Sequence, residues 1–199
     1  MELTFTDKYL LDAALLLHHL DPDALDRMAN SLRDLRDRKG RLFVIGVGGS
    51  AATASHAVND FRKMAGIEAY APTDNPAEIT ARTNDNGWET VFVDWLKTSN
   101  LTAADGLFVL SVGGGKSHGG PSENIAEAVK YVRKPLGIEK GIGAHIFGIV
   151  GPGDGGYVKR FGDDVIQISY PGSGLVTAHT EGIASVVCHL LVSHPRLND

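Results

Sequence analysis

His56 and Asp60 stand four residues apart and Glu181 and His189 eight apart. If each pair lies on a helix, each helix presents one imidazole and one carboxylate. The first pair shares a face directly. The second is offset by about 80°, one broad face two turns long. Together the four groups match the nitrogen and oxygen ligand set of a divalent metal such as zinc. They equally suit acid and base work in proton transfer. Solvated pairs of this kind are also common on helix surfaces, so spacing alone leaves these uses open. His189 interrupts an apolar run, Val186-Val187-Cys188-His189-Leu190-Leu191-Val192, where a buried ring needs a partner. Cys188 reads as a small buried hydrophobe, since no surrounding charge pattern predicts a lowered thiol pKa.

Three glycine clusters could bring backbone close to a ligand. Gly46-Val47-Gly48-Gly49-Ser50-Ala51 satisfies a loose dinucleotide fingerprint, with Glu68 near the distance expected of a ribose-binding acid. It also makes a monophosphate cradle, in which helix N–H groups and the Ser50 hydroxyl donate to phosphate oxygens. A plain strand-to-helix turn capped by Ser50 is the third reading. The second cluster, Ser111-Val112-Gly113-Gly114-Gly115-Lys116-Ser117, ends like a triphosphate loop. That fingerprint requires glycine at position 110, where Leu110 stands, so it is rejected. There remain Ser111, Lys116, Ser117 and Ser122 around one loop. Lys116 is either a ligand contact or a solvated loop cation.

These residues need a scaffold that places them together, and the chain predicts one. Residues 41–45, 107–111, 145–150 and 165–169 read as strands, with 66–71 a weaker fifth. Helices are expected over 50–65, 122–133 and 175–193, and two more before the sheet, around 10–20 and from Pro22. Alternating strands and helices imply right-handed crossovers and a parallel sheet covered on both faces. All three glycine clusters then fall beyond carboxyl ends of strands, where such sheets bind ligands. Residues 134–143 form the only linker-like stretch.

The 199 residues suit one domain. Glycine is in excess, 24 residues against a usual share of about 7%, but hydrophobic and charged contents are ordinary, which excludes disordered and fibrous classes. A net charge of −5 leaves no electrostatic footprint for nucleic acid or an anionic membrane. A single cysteine excludes an intrachain disulfide and a Cys-rich zinc site. No apolar run reaches membrane-spanning length and no targeting segment opens the chain. A soluble, cytoplasmic protein is expected.

In their order, Phe43 to Ser50, His56 and Asp60, Asn84-Asp85, the loop from Ser111 to Ser122, Asp154-Gly155-Gly156, and Glu181 with His189 resemble the sugar isomerase (SIS) domain family, and within it the phosphoheptose isomerases. The resemblance runs from about residue 5 to 195. It implies a flavodoxin-like three-layer α/β sandwich with a five-stranded parallel sheet. Residues 1–199 would be a single SIS domain, with residues 1–40 a helical extension used in oligomer packing. It implies a homotetramer that isomerises a phosphorylated heptose, sedoheptulose 7-phosphate, to glycero-manno-heptose 7-phosphate. Carried over, Ser50, Ser111 and Ser122 would hold the phosphate, beside Lys116 and Ser117 of the second loop. Asp85 would sit near the substrate hydroxyls. His56, Asp60, Glu181 and His189 would bind zinc, with Asp60 as base and His189 as proton shuttle.

The chain departs from that pattern in several places. Asp60 replaces a usual glutamate, Glu181 a glutamine, Val47 an asparagine, and Ala178 stands where aspartate is common. The second loop is longer than the family's Ser-Thr-Ser-Gly-Asn-Ser. Two other functions are consistent with parts of the pattern: a non-catalytic SIS module that senses a sugar phosphate or binds the DnaA initiation protein, and an NAD-dependent oxidoreductase built on the first loop and Glu68.

Overall fold

A computed structural model describes residues 2–116, 119–133, 141–170 and 174–198. Five strands form one sheet: β1 (Leu42–Gly46), β2 (Ala69–Tyr70), β3 (Gly106–Ser111), β4 (His145–Val150) and β5 (Asp164–Gln167). Every pairing is parallel and the order is β2-β1-β3-β4-β5. That is the flavodoxin-like order, in which the chain reverses direction between β1 and β3 and opens a crevice there.

Parallel strands have no solvent face, and these show it: β1 and β3 are buried at every position. Alternate side chains feed two separate cores. Leu42, Val44, Phe108, Leu110, Phe147 and Ile149 pack on one face with α2 (Pro22–Asp37), α3 (Gly49–Lys63) and α8 (Val176–Val192). Phe43, Ile45, Leu107, Val109, Ile146 and Val150 pack on the other with α5 (Val91–Thr98), α6 (Glu123–Arg133) and α7 (Gly156–Phe161). The result is a three-layer sandwich.

Local chemistry explains the helix starts. The Asp21 carboxylate accepts from the Asp23 N–H, and Pro22 opens α2. Leu25, Met28, Ala29, Leu32 and Leu35 then recur at helical spacing and all are buried. α2 is therefore a full member of the sandwich. In α1 (Phe5–His18) only Leu16 is buried, while Phe5, Leu10, Leu11 and Leu17 stay exposed. Of the first forty residues, α1 alone carries an unpartnered apolar face.

Strands β1, β3, β4 and β5 lie within a residue or two of their expected spans, and the weak fifth contracts to Ala69–Tyr70. The expectations missed α4 (Pro76–Asn86) and α5. α4 buries no residue at all, so it carries no apolar period to read. Most of the linker-like stretch lies outside the described residues. No helix among them is long and apolar enough to cross a membrane.

Candidate functional site

The crevice between β1 and β3 is a cleft of about 380 Å³, lined by Val47, Ser50, Ser111, Lys116, Ser122 and Glu181 among others. Three helices begin at its wall. α3 starts at Gly49, after Gly48 at φ 63°, with no side chain capping it. α6 follows Ser122, whose carbonyl accepts from the Ile125 and Ala126 N–H groups at 3.0 and 3.3 Å. α8 follows Leu175 and puts Thr177 on the cleft. Ser122 holds φ 57° and Leu175 φ 48°, a left-handed backbone that costs a side-chain-bearing residue about 1–2 kcal/mol. Three helix N-termini at one wall give a positive potential, and α3 and α8 begin without a side-chain cap, an environment suited to an anion. Ser50, Ser111, Ser122 and Lys116 thus meet as expected. Ser117 lies outside the described residues. Asp85 is exposed on α4, bonded to Asn84 at 2.8 Å, and does not line the cleft. Thr177 was not anticipated, although its signal is the one that marks Ser50 and Ser122: a hydroxyl in or beside the first turn of a helix on the ligand edge.

The second and third glycine clusters serve each other. α7 docks its first turn on the second loop, with the Tyr157 and Val158 N–H groups donating to the Gly115 and Gly114 carbonyls at 3.1 and 3.0 Å. A Cβ on Gly114 would collide with the Gly155 carbonyl. These glycines permit backbone contact with backbone, which holds the loop against the cleft.

The dinucleotide reading loses its acid. The Glu68 carbonyl accepts from the Leu42 N–H, which puts Glu68 beside the beginning of β1, while the glycine loop is at its end. No ribose on that loop would reach it.

The histidine and carboxylate pairs lie on α3 and α8, which pack side by side and run the same way. His56 and His189 bring their Nε2 atoms to 2.9 Å. The Asp60 Oδ2 lies 3.1 Å from His56 Nε2 and 3.4 Å from His189 Nε2. Asp60 is buried and both rings are exposed, so the acid forms the floor and the imidazoles the rim. This group can hold a cation. Bonds of 2.0–2.1 Å to a tetrahedral metal set neighbouring donor atoms about 3.3 Å apart, close to the three separations found. The donor types, two imidazoles and one carboxylate, suit zinc and other transition metals. The fit therefore holds for three of the four expected ligands. The fourth, Glu181, is turned elsewhere: its carboxylate lies against Gly49, where a Cβ would clash with it.

Beneath this centre Cys188 is buried. Burial, with a smaller contribution from the Asp60 charge, pushes its thiol up to about 12, which removes it as a nucleophile at neutral pH. At the other end of the strands Asp105 ties β1 to β3. It accepts from the Arg41 backbone at 2.9 Å, the Arg41 guanidinium at 2.8 and 3.1 Å, and the Thr102 N–H and hydroxyl at 2.8 and 2.9 Å. Burial opposes its charge, but these bonds overcome that and hold its carboxyl below the ordinary value.

Comparison with known proteins points the same way. No protein-family model matches the chain. It is 30% identical over 197 residues to the lincomycin biosynthesis protein LmbN of Streptomyces lincolnensis, covering 93% of this chain but 66% of that protein. It is 26% identical over 181 residues to a phosphoheptose isomerase of Chlorobaculum tepidum, covering 87% of this chain and 76% of the relative. In structure it superposes on a phosphoheptose isomerase of Neisseria gonorrhoeae with a TM-score of 0.75 at 23% identity, over 95% of this chain and 92% of that one. By its strand order, its crevice and these relatives, the chain has the fold of the phosphoheptose isomerases and is similar to them in sequence along most of its length.

Proposed function

We propose that the protein is a cytoplasmic phosphosugar aldose–ketose isomerase whose substrate is sedoheptulose 7-phosphate and whose product is glycero-manno-heptose 7-phosphate. One observation carries this reading: an anion cleft and a proton-transfer centre lie on the same pair of helices. Ser50 and His56 are six residues apart on α3, about 9 Å along its axis. An extended seven-carbon sugar phosphate spans that separation. Phosphate anchored by Ser50, Ser111, Ser122 and Lys116 delivers its far end to Asp60 and His189, so remote binding energy positions the reacting carbons.

Asp60 takes the proton from the carbon beside the carbonyl, exchanges it with solvent and delivers a proton to the former carbonyl carbon. His189 moves a second proton between the carbonyl oxygen and the adjacent hydroxyl, giving an enediol between the two steps. His56, Asp60 and His189 would hold a divalent cation, zinc by donor type. When bound, that cation supplies Lewis acidity at the substrate oxygens. Asp85 would contact substrate hydroxyls only if α4 approached the cleft.

Exposed apolar side chains support assembly. Val186 and Leu190, flanking His189, are 46% and 38% exposed, and α1 adds Phe5 at 72% and Leu10 at 63%. An apolar rim around an exposed ionic centre fits coverage by further copies of the chain, and a tetramer is the assembly proposed.

A sugar-phosphate sensor of the same fold would need the cleft alone. The converging His56, Asp60 and His189 favour an enzyme. An assay against a panel of ketose phosphates, with and without chelator, tests the reading: conversion of the heptulose phosphate supports it, and binding without conversion supports the sensor.

A further inference from the structure

Glu181 is a carboxylate in a cleft built for an anion. It lines that cleft together with Ser50, Ser122 and Lys116. Its oxygens lie against the Cα of Gly49, at the first residue of α3, where a Cβ would meet them and turn the flexible side chain aside. Among the described residues it has no ion-pair or hydrogen-bond partner. The carboxylate therefore lies beside the positive end of α3, whose N–H groups an entering anion would seek.

We propose that Glu181 sets the affinity threshold of the cleft: a fixed anion beside the first turn of α3 against which any entering phosphate must bind. This rests on the cleft being the phosphate site. A carboxylate beside the bound anion weakens every anion by like-charge repulsion. Only a ligand that adds contacts elsewhere, as a sugar reaching toward Asp60 does, makes up the loss. Bare phosphate and short phosphorylated compounds then bind too weakly to fill the cleft, while a long sugar phosphate, with its further contacts, still does. Lys116 is the cation on the same wall that keeps the cleft from being net repulsive.

The test is calorimetric titration of the full-length, chelator-treated protein with inorganic phosphate at low ionic strength, comparing wild type with Glu181→Gln and Glu181→Ala. Both variants should bind phosphate at least tenfold more tightly. The gain should shrink as salt is raised, which a merely structural effect would not do, and it should disappear when Ser50→Ala is added to Glu181→Gln. Phosphate binding that is unchanged or weaker in both variants would overturn the role of Glu181 while leaving the cleft as a phosphate site. A gain indifferent to Ser50→Ala would place the anion elsewhere and overturn the proposal. Absence of phosphate binding in all forms would overturn both the proposal and the phosphate reading beneath it.

Discussion

His56 and His189 meet nitrogen to nitrogen at 2.9 Å, although 132 positions separate them in the chain. Two neutral imidazoles in that arrangement can share only one proton between the facing atoms, and Asp60 Oδ2 sits within 3.4 Å of both. Such a contact is sustained by a proton or by a cation between the rings. Either makes the pair the focus of the chemistry.

Divalent cation should stabilise the fold through this group. Saturation at about 100 times Kd contributes about 2.7 kcal/mol, which raises the melting temperature of a domain this size by about 5–10 °C. Thermal unfolding with zinc and with chelator checks this. The shift should vanish in His56→Ala and in His189→Gln.

His189→Gln keeps a hydrogen-bonding side chain but cannot shuttle a proton. Turnover should fall at least 100-fold, in line with loss of a general acid–base group, while sugar-phosphate binding measured by calorimetry stays within a fewfold of wild type. A fully active variant would remove His189 from the mechanism.

Asp105→Asn should destabilise the domain by about 3 kcal/mol, because it leaves the part-buried Arg41 without its charged partner. The sign of the pH effect follows from the lowered carboxyl. The unfolded state holds the proton more tightly, so the Asp105 contribution is present above the ordinary aspartate value and is lost as pH falls through the folded one. Asp164 acts alike. Burial opposes its charge, and bonds from His145 and Ser31 outweigh that. Denaturant titrations from pH 7 down to 2 should show a shallower acid slope in Asp105→Asn than in wild type.

Cys188 should resist thiol reagents in the native protein at pH 8 and react fully in denaturant, since a thiol near 12 is almost wholly protonated there. Rapid native labelling would contradict its placement beneath Asp60.

Leu190→Glu places a charge on the apolar rim beside His189. It should shift the protein toward smaller species in sedimentation, with little change in secondary structure. An unchanged assembly would exclude this rim as the contact between copies.

Much of this architecture is legible in the residues, for identifiable reasons. β1, β3 and β4 are short apolar runs ended by glycine or serine, and α2 carries a capped apolar stripe, so each announces itself locally. α4 does not, because none of its residues is buried. The i, i+4 pair His56 and Asp60 is a local signal. Its meeting with His189 depends on α3 and α8 lying side by side, which no spacing within one helix encodes. Glu181 shows the limit most clearly. Its place on the α8 face is readable, but whether its carboxylate turns toward the histidines or toward Gly49 is decided by packing at the cleft. Glu68 went the other way: its distance from the glycine loop fitted a ribose acid, yet the parallel register puts it at the wrong end of the strand.

In the proposed reaction Asp60 moves a carbon-bound proton on a phosphate-anchored ketose. Incubating the protein with sedoheptulose 7-phosphate in heavy water and following the sugar by NMR tests it most directly. The expected product is an aldose phosphate bearing deuterium at carbon 2, with both conversion and labelling abolished in Asp60→Asn. Neither product nor deuterium with the wild-type protein, supplied with divalent cation, would contradict it.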